Sequence, residues 1–139
     1  MVTSAKELEC WQLADRLRTA VLAIRAHERV ARHFRFCDGF TEAAGSVCRN
    51  ISEGFHRGGS PSIVQFCGYA LGSLGEVADY LHECHVRGFI DDARLADLLE
   101  LGEHTRATTQ NFRAYHERKA RSVDCDSPPS RIFSYSVPD

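Results

Sequence analysis

An all-α protein, an up-down-up-down bundle of four helices, is the fold this sequence predicts, and three observations carry that prediction. Apolar residues recur at three-and-four spacing in four long segments. Turn signals fall between those segments, with Gly58-Gly59-Ser60-Pro61 after the second and Gly88 after the third. Only 4 prolines occur in 139 residues, most of them near the C-terminal end, so little interrupts a chain rich in Ala, Leu, Arg and Glu. Four helices joined by short links pack as antiparallel neighbours.

The first helix is expected over residues 4–25, with Cys10, Leu13, Leu17, Ala20 and Ile24 as its stripe. Leu8, Trp11 and Leu22 fall on another face. Trp11 there either covers the core edge or meets a second subunit. The second helix should begin between residues 30 and 41 and end near 55, with Phe36, Phe40, Ala44, Val47, Ile51 and Phe55 inward. Ser60 offers an N-cap oxygen to the third helix, and Pro61 suits its first position. That helix should reach residue 87, burying Ile63, Phe66, Ala70, Leu74, Val77 and Leu81, with Gly88 as terminator. Asp91 or Asp92 can cap the fourth helix. Its stripe of Leu95, Leu98, Gly102, Thr105, Thr109, Phe112 and His116 is weakly apolar beyond Leu98 and is expected to fray or face water in part. The bundle is thus assigned to residues 1–120. Residues 121–139 read as an extended or disordered tail, in which Ile132, Phe133, Tyr135 and Val137 could dock on a neighbour.

Composition bounds the rest. Hydrophobic content of 43%, charged content of 26% and a formal net charge of -2 fit a soluble globular domain, not a bulk polyanion binder. No apolar run approaches the roughly 18 residues that cross a bilayer. The start of the chain has no signal-peptide core, and the 6 cysteines form no CxxC pair. A cytoplasmic protein with cysteines as small core residues is expected, with no membrane partner.

Within the third helix, Gly68, Gly72 and Gly75 fall opposite Ala70, beside Asp79. Each glycine inside a helix costs up to about 1 kcal/mol relative to alanine. Close approach of another helix would compensate, so these glycines and Trp11 are the candidate oligomer interface. Chance composition is the alternative. Ser46, Asn50, Glu53 and Arg57 line the edge of the second helix. Glu53 and Arg57 have the i,i+4 order of an ion pair, while Ser46 and Asn50 can satisfy backbone or reach across to a neighbour.

These residues carry a family resemblance. The run Ala43, Ala44, Ser46, Val47, Asn50, Ile51, Ser52, Glu53, Gly54, followed by Ala70, Leu71, Gly72, Ser73, Leu74 and Glu76, resembles the motif pair of proteins encoded within 23S rRNA intervening sequences. Trp11 with Ala14 matches an early W-x-x-A, and Gly88-Phe89-Ile90 a glycine-hydrophobic turn. The similarity spans about residues 7–118. It implies a four-helix bundle assembled as a homopentamer. A relative, the accessory variability determinant of diversity-generating retroelements, implies binding to nucleic acid and a reverse transcriptase. This chain departs where basic residues are usual, with Thr41 and Glu42 before the paired alanines. Cys48 replaces a proline, and Ser62 an acidic residue. With a pI near 6.4, these changes weaken the nucleic-acid implication.

Three functional classes compete. Arg25, Arg29, Arg32 and Arg35 form a candidate nucleic-acid patch in IRAHERVARHFR, interrupted by Glu28. A charged helix end is more often a solvated face. His82, Glu83, Cys84 and His85 have partial metal spacing but need a third ligand, from His56 or His104; no metal or other cofactor is therefore expected. No nucleophile-base order and no phosphate-cradling loop is apparent, so no catalytic residue is assigned. The expectation is a non-enzymatic oligomeric scaffold that binds itself and a protein partner, with RNA or DNA as the alternative partner.

Overall fold

The computed structural model describes residues 1–126 and is all-helical over that span. A 3-10 turn, Ala5–Glu7, precedes α1 (Glu9–Ala26), a single turn α2 (Glu28–Ala31), and three long helices: α3 (Phe34–Arg57), α4 (Ser60–Val86) and α5 (Asp92–Asp126). The predicted second, third and fourth helices are α3, α4 and α5. Around the bundle, α1 touches α3 and α5, while α4 touches the same two, so α1 and α4 stand diagonally across a square. Four apolar stripes close on one core, in which Leu17, Val21, Phe40, Val47, Ile51, Val77 and Leu81 are fully buried.

The ends of the helices follow local chemistry, with corrections to the expected boundaries. Residues 4–25 are not one helix. The Ser4 hydroxyl caps Lys6 N–H, and the Glu7 carboxylate accepts from the backbone of Ser4, a capping box that closes a 3-10 turn. Leu8 is then extended before α1 begins. Ser60 does not cap α4. Gly58 and Gly59, at φ 80° and 88°, turn the chain, and Gly59 takes the cap position. The Ser60 hydroxyl instead bonds His116 Nδ1 at 2.8 Å, tying the start of α4 to α5. Burial holds the His116 imidazole below its usual pKa, with Lys119 adding to the effect. At the other end of α4, Gly88 at φ 74° completes a Schellman turn: Phe89 N–H reaches Cys84 C=O, and Gly88 N–H reaches His85 C=O. Asp91 caps α5 by accepting from Arg94 N–H at 2.8 Å.

The weak stripe of α5 is core at Leu98, Thr105 and Thr109, while Leu95, Gly102, Phe112 and His116 are half-buried. Thr105 and Thr109 are fully buried, and each hydroxyl donates to the carbonyl four residues back, Leu101 and Thr105, at 2.7 Å. That bond removes the polar penalty, leaving the methyl to pack. The helix also passes the predicted limit of 120 and runs through Asp126. Propagation adds a hydrogen bond per residue without a new nucleus, and Glu117 lies 4.0 Å from Arg121 on this stretch. The rest of the predicted tail, with its proposed docking residues, lies outside the described residues.

Two glycines let helices meet. Gly54 is buried where α3 crosses α4: a Cβ there would lie 2.9 Å from Phe66 Cβ, 3.1 Å from Ser62 O and 3.3 Å from Ile63 Cα. Gly39, in the stretch where the second helix was expected to begin, sits inside α3. Its bare backbone receives the Tyr80 hydroxyl, while the Tyr80 ring stacks on Phe40 at 5.5 Å. Gly102, in contrast, has nothing within 4 Å of the place a Cβ would take. Gly54→Ala should therefore lower the unfolding free energy by about 1–3 kcal/mol through overpacking against α4 backbone. Gly102→Ala should raise it by up to about 1 kcal/mol through helix propensity alone. Urea denaturation of the two variants checks the opposite signs.

Candidate functional site

The motif residues of α3 and α4 converge on one seam. Ser46 Oγ and Ser73 Oγ lie 2.9 Å apart across the helices. Asn50 Nδ2 donates to Ser46 C=O at 2.9 Å and to Ser46 Oγ at 3.0 Å, so the amide fixes the hydroxyl that bridges to α4. Gly54 closes the same seam one turn further down. Glu53 pairs with Arg57 at 2.7 Å, as the i,i+4 spacing predicts. Glu76 stands outside this network, exposed on α4 and without an ion-pair partner among the described residues. These side chains make a polar clasp between two helices, with no nucleophile-base pair within it.

The glycines predicted to face outward separate. Gly68 lies beneath Arg113, whose guanidinium would be 3.6 Å from a Cβ there, and Arg113 Nε donates to Val64 C=O at 3.0 Å. A side chain of α5 therefore covers Gly68 within the bundle itself. Gly72 and Gly75 are exposed, and nothing lies within 4 Å of the space a Cβ would fill. Gly75 opens into a groove of about 320 Å³ shared with Leu71, Ala78, Leu99 and Gly102. Asp79 sits on this outer side of α4, also exposed and without an ion-pair partner among the described residues.

Trp11 lies elsewhere. Its ring packs partly against the core and lines a groove of about 580 Å³ between α1 and α3. It covers the core edge and is half-buried there. Lys6 Nζ stands 6.0 Å from the ring centroid. Arg18, Arg49, Glu53 and His56 complete the walls. Gly45, which the motif left unassigned, forms the floor with Cys48 and Ser52, and only Arg49 folds over it. Three permanent cations and one carboxylate line this groove in a chain of net charge -2.

The four arginines of the predicted patch divide. Arg25 bonds Thr41 Oγ1 and Asp38 Oδ1, both at 2.9 Å. Arg29 reaches Gly88 C=O at 2.7 Å and latches α2 onto the α4–α5 turn. Among the described residues Arg32 and Arg35 have no such partner, and Phe34 between them is 71% exposed. Of the histidine cluster, His85 Nε2 pairs with Asp92 and Cys84 is fully buried, while no group of three metal-ligating side chains comes together among the described residues. Burial pushes the Cys10 and Cys84 thiols up to about 12 and those of Cys48 and Cys67 up to about 11. All four remain protonated at neutral pH and are poor nucleophiles. No helix among the described residues is long and apolar enough to cross a membrane.

A clasp of this kind is measurable. In a double-mutant cycle, Ser46→Ala and Ser73→Ala should each cost about 0.5–1.5 kcal/mol, and their combination less than the sum by about 1 kcal/mol. Strict additivity in denaturant titrations would show that the hydroxyls do not act on each other.

Comparison with curated proteins and with solved structures returns no match. One family model does match, that of the 23S rRNA-intervening sequence protein, over residues 6–111. The matched span runs from before Trp11, through the Ser46–Asn50–Gly54 seam and the Gly72–Ser73 turn of α4, to the end of the buried threonines of α5. The chain therefore belongs to the 23S rRNA-intervening sequence protein family.

Proposed function

We propose that this protein is a non-enzymatic bundle that self-associates and serves as an oligomeric scaffold for a protein partner. The observation that carries the reading is the presence of two different open surfaces. One is the outer side of α4 at Gly72 and Gly75, and the other is the Trp11 groove between α1 and α3. A two-fold contact uses one patch twice, whereas two distinct patches permit head-to-tail contacts that close into a ring when the rotation allows. The pentameric number comes from the family resemblance alone. Light scattering coupled to gel filtration tests the reading: a mass of two or more whole multiples of the 15.6 kDa chain is expected. A strict monomer at every accessible concentration would sink it.

A second reading, a nucleic-acid-binding accessory factor that works with a reverse transcriptase, is favoured by one feature. Arg32 and Arg35 flank the exposed Phe34 ring, a pairing of phosphate-binding and base-stacking groups. Arg25 and Arg29 are already engaged within the bundle, which leaves half the predicted patch. Binding of a single-stranded RNA oligonucleotide, read by anisotropy, should weaken steeply with salt and lose about tenfold or more in Arg32→Glu/Arg35→Glu. Affinity indifferent to both changes would remove this reading.

A further inference from the structure

We infer that the outer ridge of α4 from one copy, carrying Gly72, Gly75, Glu76 and Asp79, seats in the α1–α3 groove of the next copy. The inference rests on the self-association proposed above and assigns its two surfaces. Charge is the first argument. Lys6, Arg18 and Arg49 line the groove against the single carboxylate of Glu53, which is itself paired to Arg57. Lys6 has no carboxylate partner, and its ammonium is placed only over the Trp11 ring. Arg18 and Arg49 hold Asp15 and Glu42 on their own helices, in solvated pairs that contribute little and can re-form with an incoming carboxylate. The α4 ridge has the complementary composition: Glu76 and Asp79 are exposed and have no partner among the described residues.

Shape is the second argument. The groove floor is made of the small residues Gly45, Cys48 and Ser52, one per turn of α3, so little side-chain bulk rises into the trough of about 580 Å³ between α1 and α3. The ridge is correspondingly low, because Gly72 and Gly75 present bare backbone with nothing within 4 Å of a Cβ position. A helix with two adjacent glycines can approach an indole closely, and a partly exposed Trp in a groove is the residue type that most often anchors an interface. The third argument is exclusion. A ridge that met its own copy would set Glu76 and Asp79 against like charges, and a groove that met its own copy would set the unpaired Lys6 and two already paired arginines against the same groups. Of these three pairings, ridge-to-groove is the one that joins opposite charges.

Other grooves lack this balance. The α4–α5 groove pairs Glu103 with Arg106 at 2.6 Å and is neutral. The cleft at Asp79, Glu83 and Arg87 is acidic and belongs to the ridge side.

Charge reversal in the full chain tests the assignment. The self-dissociation constant is measured by sedimentation for four proteins: the unaltered chain, Lys6→Glu/Arg49→Glu, Glu76→Lys/Asp79→Lys, and the chain carrying all four changes. All the altered side chains are exposed, and circular dichroism verifies that each variant keeps its helix content. Each double reversal should weaken association by about tenfold or more, and the fourfold variant should recover to within about threefold of the unaltered chain. Trp11, the sole tryptophan, supplies an independent readout: its emission should shift to shorter wavelength as association proceeds. An oligomer that ignores both reversals, or whose assembly leaves Trp11 emission unchanged, overturns this contact and leaves self-association standing. An unaltered chain that stays monomeric overturns both.

Discussion

The contact between α3 and α4 at Gly54 sets the geometry on which the other packing depends. With no Cβ on Gly54, α3 backbone approaches the first turn of α4 so closely that a Cβ would lie 3.1 Å from Ser62 O and 3.3 Å from Ile63 Cα. The Gly58-Gly59 turn, both residues at positive φ, returns the chain over just that short distance. Two turns above, the gap between the helices is fixed by a different means, the Ser46–Ser73 hydroxyl pair steered by Asn50. A helix pair held at two heights cannot pivot. The crossing then places Phe40 and Tyr80 in stacking distance at the far end, where Gly39 makes room for the phenol oxygen.

This pinned pair explains how α5 tolerates a polar core face. Neighbouring α4 supplies Ala70, Leu74, Val77 and Leu81 in fixed positions, and Leu98 alone matches them in α5 as a large buried aliphatic residue. Below Leu98 the space left for α5 accepts threonines, whose hydroxyls are satisfied within their own helix. No buried side-chain nitrogen or oxygen among the described residues lacks a partner. Polar residues in this core therefore carry little desolvation cost.

Periodicity made the four helices legible, because the apolar stripes are long and the turn signals between them are strong. What it misjudged has physical causes. Threonine reads as polar in a stripe, yet its hydroxyl can be hidden by an i−4 carbonyl, so the α5 core looked wet. Ser60 read as a cap because the residue type is right, but a neighbouring helix offered His116, and the two glycines at positive φ bring the chain into the helix at Ser60 itself. The glycines of α4 looked alike on a helical wheel, and only the third dimension shows Arg113 lying over Gly68 while Gly72 and Gly75 stay bare. The arginine stretch divides for a similar reason. Spacing places four guanidiniums on one length of chain, but it cannot reveal that Gly88 C=O and Asp38 wait for two of them. Gly45 carried no signal at all, since its role depends on the groove that α1 forms beside it.

The motif of the family and its open surfaces thus have separate physical purposes. Ser46, Asn50, Gly54 and Ser73 face inward along one seam and are consumed in holding a pair of helices. Gly72 and Glu76, which belong to the same sequence motif, point away from that seam and contribute nothing to the stability of the single bundle. Gly72 in fact lowers it, since alanine would fit the empty space around it and favour helix. In the proposed self-association, a glycine of this kind serves a contact with a second copy and not the bundle itself. Trp11 is likewise only half-buried at the edge of its groove, and covering the rest of its ring would add apolar stabilisation. In the proposed head-to-tail contact these two deficits meet: the missing Cβ of one copy gives the exposed ring of the next a flat surface to cover.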